Sequence, residues 1–146
     1  MAETAEKRAP IRQSVHVDCP IEDAFRLFTE GFAEWWPLAS YSITGDAAEH
    51  CAIEPWIGGR LFERTRSGEE REWGSVTAWD PPRQLEFTWH PGGGRDDSQT
   101  VELEFRVEAD GTRVTLTHNG WDRAAINASA LLCFSEYVSE HTVVTV

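Results

Sequence analysis

Residues 101–118 read VELEFRVEADGTRVTLTH, and no other stretch of the chain specifies its structure as firmly. From residue 101 to residue 107 every second side chain is apolar, which is the alternation of a strand with one buried face. The pair Asp110-Gly111 is a preferred hairpin turn, and the alternation resumes after it and ends at His118. The stretch therefore predicts an antiparallel hairpin whose inward face includes His118.

Patterns of the same kind predict the elements that precede and follow this hairpin. Apolar alternation indicates further strands, a proline followed by an apolar stripe indicates a first helix, and Pro37 ends a second. The alternation shifts across Gly74, which indicates a β-bulge. The predicted elements are a strand at 11–17, a helix that starts at Pro20, a short helix at 31–36, strands at 50–54, 60–66, 71–80 and 84–89, and a helix from 122 to about 138.

The order of these elements predicts an α+β fold. Consecutive strands with short connections form an antiparallel meander, and one apolar face of that sheet must be covered by another layer. The terminal helix is the one element long enough to cover it. A strongly curved sheet of six to seven strands wrapped on a long C-terminal helix leaves a gap, because the two surfaces differ in curvature. We therefore expect a cavity between the sheet and this helix.

Length and charge limit the classes of protein and partner. A chain of 146 residues fits one domain, and we expect a flexible lead at 1–10 and a single domain at 11–146. Hydrophobic residues make up 40% of the chain, which argues against disorder despite a net charge of -12. This acidic balance argues against nucleic acid and anionic membranes as partners, because both require clustered Lys and Arg.

Other patterns bear on location and on metal binding. The polar start of the chain has no apolar segment of a signal peptide, and no stretch has the roughly 20 apolar residues of a membrane span. These features predict a cytoplasmic protein. Three widely spaced cysteines and five isolated histidines give no metal-ligand spacing, so we expect no disulfide framework, no metal and no cofactor.

A series of aromatic, glycine and proline motifs resembles a known family. The motifs are Trp35-Trp36-Pro37 and the segments at 58–62, 74–76, 80–89 and 110–118, and the likeness extends from residue 11 to residue 121. The series resembles the bacterial proteins related to the activator of heat-shock protein 90 ATPase, within the START-like (SRPBCC, birch-pollen-allergen-like) superfamily. That resemblance implies the helix-grip fold, two short helices after the first strand, a bacterial source, and a role connected with the stress response.

The aromatic side chains are the first candidates for a ligand site. Buried Trp and Tyr keep a polar group that needs a partner, so they suit a pocket for an amphipathic ligand; ordinary core packing is the alternative for each of them. His118 faces inward and is either a ligand contact or a core histidine bonded to a backbone carbonyl. The candidate ligand-binding residues are Trp35, Trp36, Tyr41, Phe62, Trp73, Trp89 and His118.

Three classes of function are compatible with these residues. The first is binding of a small hydrophobic or amphipathic molecule in the aromatic cavity, without defined catalysis. The second is an enzyme of cyclase, dehydratase or hydrolase type in the same cavity, which needs two inward titratable groups where the sequence offers His118 alone. The third is a co-chaperone-like regulator of an ATPase. We predict no catalytic residue, and the apolar end of the chain, residues 142–146, suits a monomer or weak homodimer.

Overall fold

The structure, a computed structural model, describes residues 10–36, 44–89, 99–119 and 128–141. Within these ranges, no helix has the length and apolar character to cross a bilayer. The elements are β1 (Ile11–Val17), α1 (Ile21–Thr29), α2 (Phe32–Trp35), a 3₁₀ turn (Gly45–Ala47), β2 (Ala48–Ile53), β3 (Arg60–Thr65), β4 (Glu70–Asp80), β5 (Gln84–Thr88), β6 (Thr100–Glu108), β7 (Gly111–Asn119) and α3 (Ala128–His141).

The seven strands form one antiparallel sheet in the order β1-β7-β6-β5-β4-β3-β2. Strands β2 to β7 are therefore a meander, and β1 joins its far end beside β7. The sheet is curled into a half-barrel, with the short helices after the first strand and the longer helix at the C-terminal side. The predicted α+β helix-grip architecture is confirmed. The first part of the predicted terminal helix, 122–127, lies outside the described residues.

The predicted hairpin is confirmed, but its turn lies one residue earlier than expected. Its register pairs Val101 with His118 and ends with Glu108 opposite Gly111, so the two turn residues are Ala109 and Asp110. The positive φ falls on Ala109, at 52°. Gly111 instead opens β7.

A close approach of β1 accounts for the glycine at this position. A Cβ on Gly111 would lie 2.2 Å from the carbonyl oxygen of Val17. The glycine is therefore required by packing and not by its own dihedral angle. Val107, near this end of the hairpin, is 64% exposed, although the alternation predicts it on the inward face.

The bulge predicted at Gly74 is also confirmed. The register between β3 and β4 passes from Leu61 opposite Gly74 to Phe62 opposite Glu72, which leaves Trp73 as the extra residue on β4. A Cβ on Gly74 would lie 1.7 Å from the carbonyl oxygen of Thr88 on β5, so only glycine allows the strands to approach this closely.

The core lies between the covered face of the sheet and the three helices. Helix α1 begins after Pro20, which is its N-cap and not its first helical residue as predicted. The ring of Phe28 on α1 contacts Phe105 of β6 at 5.7 Å and Phe134 of α3 at 5.1 Å between centroids. Helix α2 is fixed to α1 because the indole Nε1 of Trp35 donates a hydrogen bond to the carbonyl of Phe28, at 3.0 Å. These contacts join all three helices to one sheet face.

Candidate functional site

Five side chains form a row across one end of the sheet. Each comes from a different strand of β3 to β7, or from the residue directly beside that strand, and each is buried. We call this set the tryptophan row; it consists of Glu63, Trp73, Trp89, Gln99 and His118. It is unusual for a core region because its two ends are polar and its middle is aromatic.

Glu63 occupies one end of the row and is 0% exposed. Its Oε1 accepts a hydrogen bond from the indole Nε1 of Trp73, at 2.7 Å. Its Oε2 accepts from the backbone N–H of Thr44 at 3.0 Å and from the hydroxyl of the same residue. Burying a carboxylate costs several kcal/mol unless directed donors compensate, and these three donors do so.

The surroundings of Glu63 also determine the state of a neighbouring thiol. Cys51 of β2 lies directly opposite Glu63 of β3 in the sheet register. Burial, reinforced by the nearby Glu63 carboxylate, raises the pKa of the Cys51 thiol to about 12. Cys51 is therefore a neutral, unreactive packing residue at physiological pH.

His118 occupies the opposite end of the row and is 0% exposed. Its Nε2 lies 2.9 Å from the side-chain oxygen of Gln99, and the contact is buried. With the amide oxygen as acceptor, Nε2 is the protonated ring nitrogen. The backbone of Gln99 is positioned in turn by Trp89: the backbone carbonyl of Gln99 accepts a hydrogen bond from the backbone N–H of Trp89 at 3.1 Å.

Three tryptophans lie between these polar ends. Trp73 and Trp89 come from the sheet and Trp36 follows α2. Their ring centroids are 5.8 Å apart for Trp73–Trp89, 5.7 Å for Trp36–Trp89 and 6.0 Å for Trp36–Trp73. At these distances the rings form mutual aromatic contacts, so the middle of the row is a packed aromatic cluster.

The structure brings together most of the residues that the sequence singled out. Trp36, Trp73, Trp89 and His118 all lie in or against the row. Trp35 is adjacent, with its ring centroid 5.6 Å from that of Trp36. It also forms ring contacts with phenylalanines of the core.

Two of the predicted site residues are not part of this group. Phe62 is buried but is absent from the core cluster of the described residues, and the guanidinium of Arg60 lies 4.3 Å from its ring centroid. Since Arg60 pairs with Glu54 and Glu70 on the surface, Phe62 faces away from Glu63 and from the row. Tyr41 lies outside the described residues.

Sequence reasoning missed Glu63, Gln99 and the contribution of Thr44. Residues 61, 63 and 65 lie on one face of β3, where Leu61 is fully buried, but the adjacent apolar residues Leu61 and Phe62 hide this alternation in the sequence. Gln99 precedes its strand and follows the segment at 91–98, so no periodicity marked it. Within the described ranges, no three His, Cys, Asp or Glu side chains are grouped closely enough to hold a metal ion.

The fold and the row define a helix-grip protein with polar groups enclosed in an aromatic interior. The chain belongs to the family of Activator of Hsp90 ATPase homolog 1-like proteins, whose profile matches residues 18–141. Among curated proteins, no significant match to this chain is found.

Several solved structures resemble this one. The anthrahydroquino-γ-pyrone synthase Txn09 is 31% identical, with 80% of each chain covered and a TM-score of 0.55. The self-sacrificing resistance protein CalC from Micromonospora echinospora is 24% identical over 93% of this chain and 97% of its own, with a TM-score of 0.63. An AHSA1-like protein from Aeromonas hydrophila is 19% identical over 90% of this chain and 93% of its own, with a TM-score of 0.60.

Proposed function

We propose that this protein binds a small apolar or amphipathic molecule between the sheet and α3. The ligand's rings would lie against Trp36, Trp73 and Trp89, and its polar groups would be directed by Glu63 and His118. The observation that carries this proposal is the pair of wholly buried polar groups at the two ends of a buried aromatic cluster. Ligand pockets combine apolar walls with a few convergent polar groups in this way.

The energetics of Glu63 support a role beyond packing. A buried carboxylate carries a desolvation cost that an apolar side chain packed among apolar partners would avoid. Retaining the charge requires donors from Trp73 and Thr44, two residues from different parts of the chain. A carboxylate positioned this way accepts hydrogen bonds from hydroxyl or phenol groups of a ligand.

One of the solved relatives supports a planar, polycyclic ligand. The 31% identical relative is a synthase of an anthrahydroquino-γ-pyrone, a fused-ring compound with oxygen substituents. Such a molecule is apolar on its faces and polar at its edges. Those properties complement an aromatic surface that ends in a carboxylate and an imidazole.

An enzyme of cyclase type is the second candidate, and a specific observation favours it. The sequence offered one inward titratable side chain, whereas the row contains two, Glu63 and His118. A carboxylate and an imidazole can act as the general base and general acid of a ring closure when the substrate lies between them. The co-chaperone-like alternative has no comparable support among the described contacts.

Titration with a tricyclic hydroxyanthraquinone, followed by tryptophan fluorescence and calorimetry, tests binding. Replacing Trp89 by Phe keeps an aromatic ring and should weaken binding by about 1 kcal/mol, roughly fivefold in Kd, because less apolar area is buried. The matched control is Trp56→Phe, since Trp56 is 55% exposed and lies outside the row. Absence of saturable binding, or equal weakening in both variants, would refute the proposal.

The second candidate has its own test. The Glu63→Gln variant should bind the anthraquinone more weakly, since one acceptor oxygen remains, but should lose conversion of a linear poly-β-ketone substrate analogue to a cyclised product. Conversion at the same rate by the wild-type protein and by Glu63→Gln would exclude Glu63 as the base. No conversion by the wild-type protein, together with intact binding, would favour the binding function.

A further inference from the structure

A second concave site lies at the opposite end of β4 from the tryptophan row. This cleft has a volume of about 580 Å³ and lies between α1 and the turn that joins β4 to β5. Its apolar lining includes Phe25 of α1, Ile53 of β2 and Trp79 of β4. Trp79 is six residues from Trp73 along the strand, a separation of roughly 20 Å, and no member of the row lines the cleft.

The cleft has the size and construction of a small-molecule site. Its volume lies within the range of about 300–1,000 Å³ that is usual for ligand pockets. The rings of Phe25 and Trp79 are in edge contact with their centroids 5.2 Å apart, so the floor is fixed from both the helix and the sheet. Pro81 and Pro82 form part of the wall, which restricts the backbone there.

The charges at the cleft are mainly negative. Glu22, Arg26 and Glu30 of α1 line it, and Arg26 already pairs with Asp23 at 3.4 Å. Within the described residues, neither Glu22 nor Glu30 forms an ion pair. Glu30 is the C-cap of α1, where the helix dipole is itself negative and where basic side chains are normally favoured. The dipole and this carboxylate therefore add to the same negative potential.

We propose that this cleft binds a small organic amine with an aromatic body. The ring system would lie on Phe25, Ile53 and Trp79, and the protonated amine would lie near Glu22 and Glu30. The net charge of -12 on the chain likewise favours a positively charged ligand. This site is independent of the proposed function at the tryptophan row.

Three probes with one ring system and different charges test the proposal by calorimetry at neutral pH. They are 1-naphthylmethylamine, 1-naphthalenemethanol and 1-naphthoate. We expect the amine to bind about threefold to tenfold more tightly than the alcohol, and the carboxylate to bind least tightly. Added salt should weaken binding of the amine and leave binding of the alcohol unchanged, because screening affects only the charged probe.

Paired variants assign the effect to the cleft. The double change Glu22→Gln with Glu30→Gln should reduce the affinity for the amine to that of the alcohol. The control double change Glu104→Gln with Glu136→Gln alters the net charge equally at exposed positions that do not line the cleft. All four side chains are exposed to solvent, so both double variants should fold.

Several results would overturn the proposal. One is an amine that binds no more tightly than the alcohol, or a carboxylate that binds most tightly. Another is an equal loss of amine affinity in both double variants, which would indicate a general charge effect. The third is the absence of saturable amine binding up to its solubility limit. Binding confined to the tryptophan row would give unchanged affinity in the Glu22 and Glu30 variant, and that result also refutes the second site.

Discussion

Replacing Glu63 by Gln tests whether directed hydrogen bonds hold the buried carboxylate. Gln keeps the size of the side chain but presents one oxygen and one NH₂ group. If the oxygen faces Trp73, the NH₂ group meets the backbone N–H of Thr44; if it faces Thr44, the NH₂ group meets the indole N–H. Either orientation opposes two donors and loses a hydrogen bond to a charged group, which is worth about 1.5–3 kcal/mol.

A double-mutant cycle with Trp73→Phe isolates the contact at 2.7 Å between Glu63 and Trp73. We expect Glu63→Gln to lower the free energy of unfolding by about 2–3 kcal/mol. Trp73→Phe removes the indole donor and some packing and should cost a similar amount. The double variant should cost about 1.5–3 kcal/mol less than the sum of the two, because the shared hydrogen bond can be lost only once.

Urea unfolding followed by far-ultraviolet circular dichroism provides the measurement, with m-values checked for two-state behaviour. The control cycle combines Glu63→Gln with Trp56→Phe, whose effects should add to within about 0.5 kcal/mol. Additivity of the same quality between Glu63 and Trp73 would refute the account of how the carboxylate is held.

Three further predictions concern other parts of the molecule. Gly111→Ala should cost about 1–3 kcal/mol, because its Cβ would lie 2.2 Å from the carbonyl oxygen of Val17; an unchanged Tm would contradict this. Cys51, with its pKa raised to about 12, has a thiolate fraction of about one in ten thousand at pH 8, so it should not react with a disulfide reagent until the protein unfolds; rapid labelling of the native protein would contradict this. The acidic protein should not bind heparin in a salt-dependent way, and salt-sensitive retention on a heparin column would contradict that expectation.

The fold was predictable because its strands carry long, regular alternation. The hairpin strands were correctly predicted from that pattern, whereas the turn was misplaced by one residue. The dipeptide preference for Asp110-Gly111 is local, while the requirement for glycine comes from Val17, a residue of a strand that is distant in sequence. Sequence patterns report local geometry well and such long-range approaches poorly.

The candidate site was predictable only in part. Tryptophans are conspicuous, and their placement on strands and on α2 was sufficient to group Trp36, Trp73 and Trp89. On β3 the sequence presents two consecutive apolar residues, Leu61 and Phe62, so alternation alone does not show which face of the strand Glu63 shares. The bulge at Trp73 changes the register between Leu61 and Phe62, and buried donors then accommodate the carboxylate. Neither effect is visible in composition or spacing.

The pairing of β1 with β7 has a consequence for how the chain folds. Every other pair in the sheet joins strands that are neighbours in sequence, but Ile11 pairs with His118 and Val17 pairs with Thr112. These contacts close the largest loop in the sheet, and contacts between residues so distant in sequence slow folding because the loop entropy is lost before the pairing is gained. Strand β1 therefore cannot pair in the sheet until β7 has been synthesised. Pulse-labelling hydrogen exchange during refolding should find the β1 amides protected later than those of the β5–β6 pair.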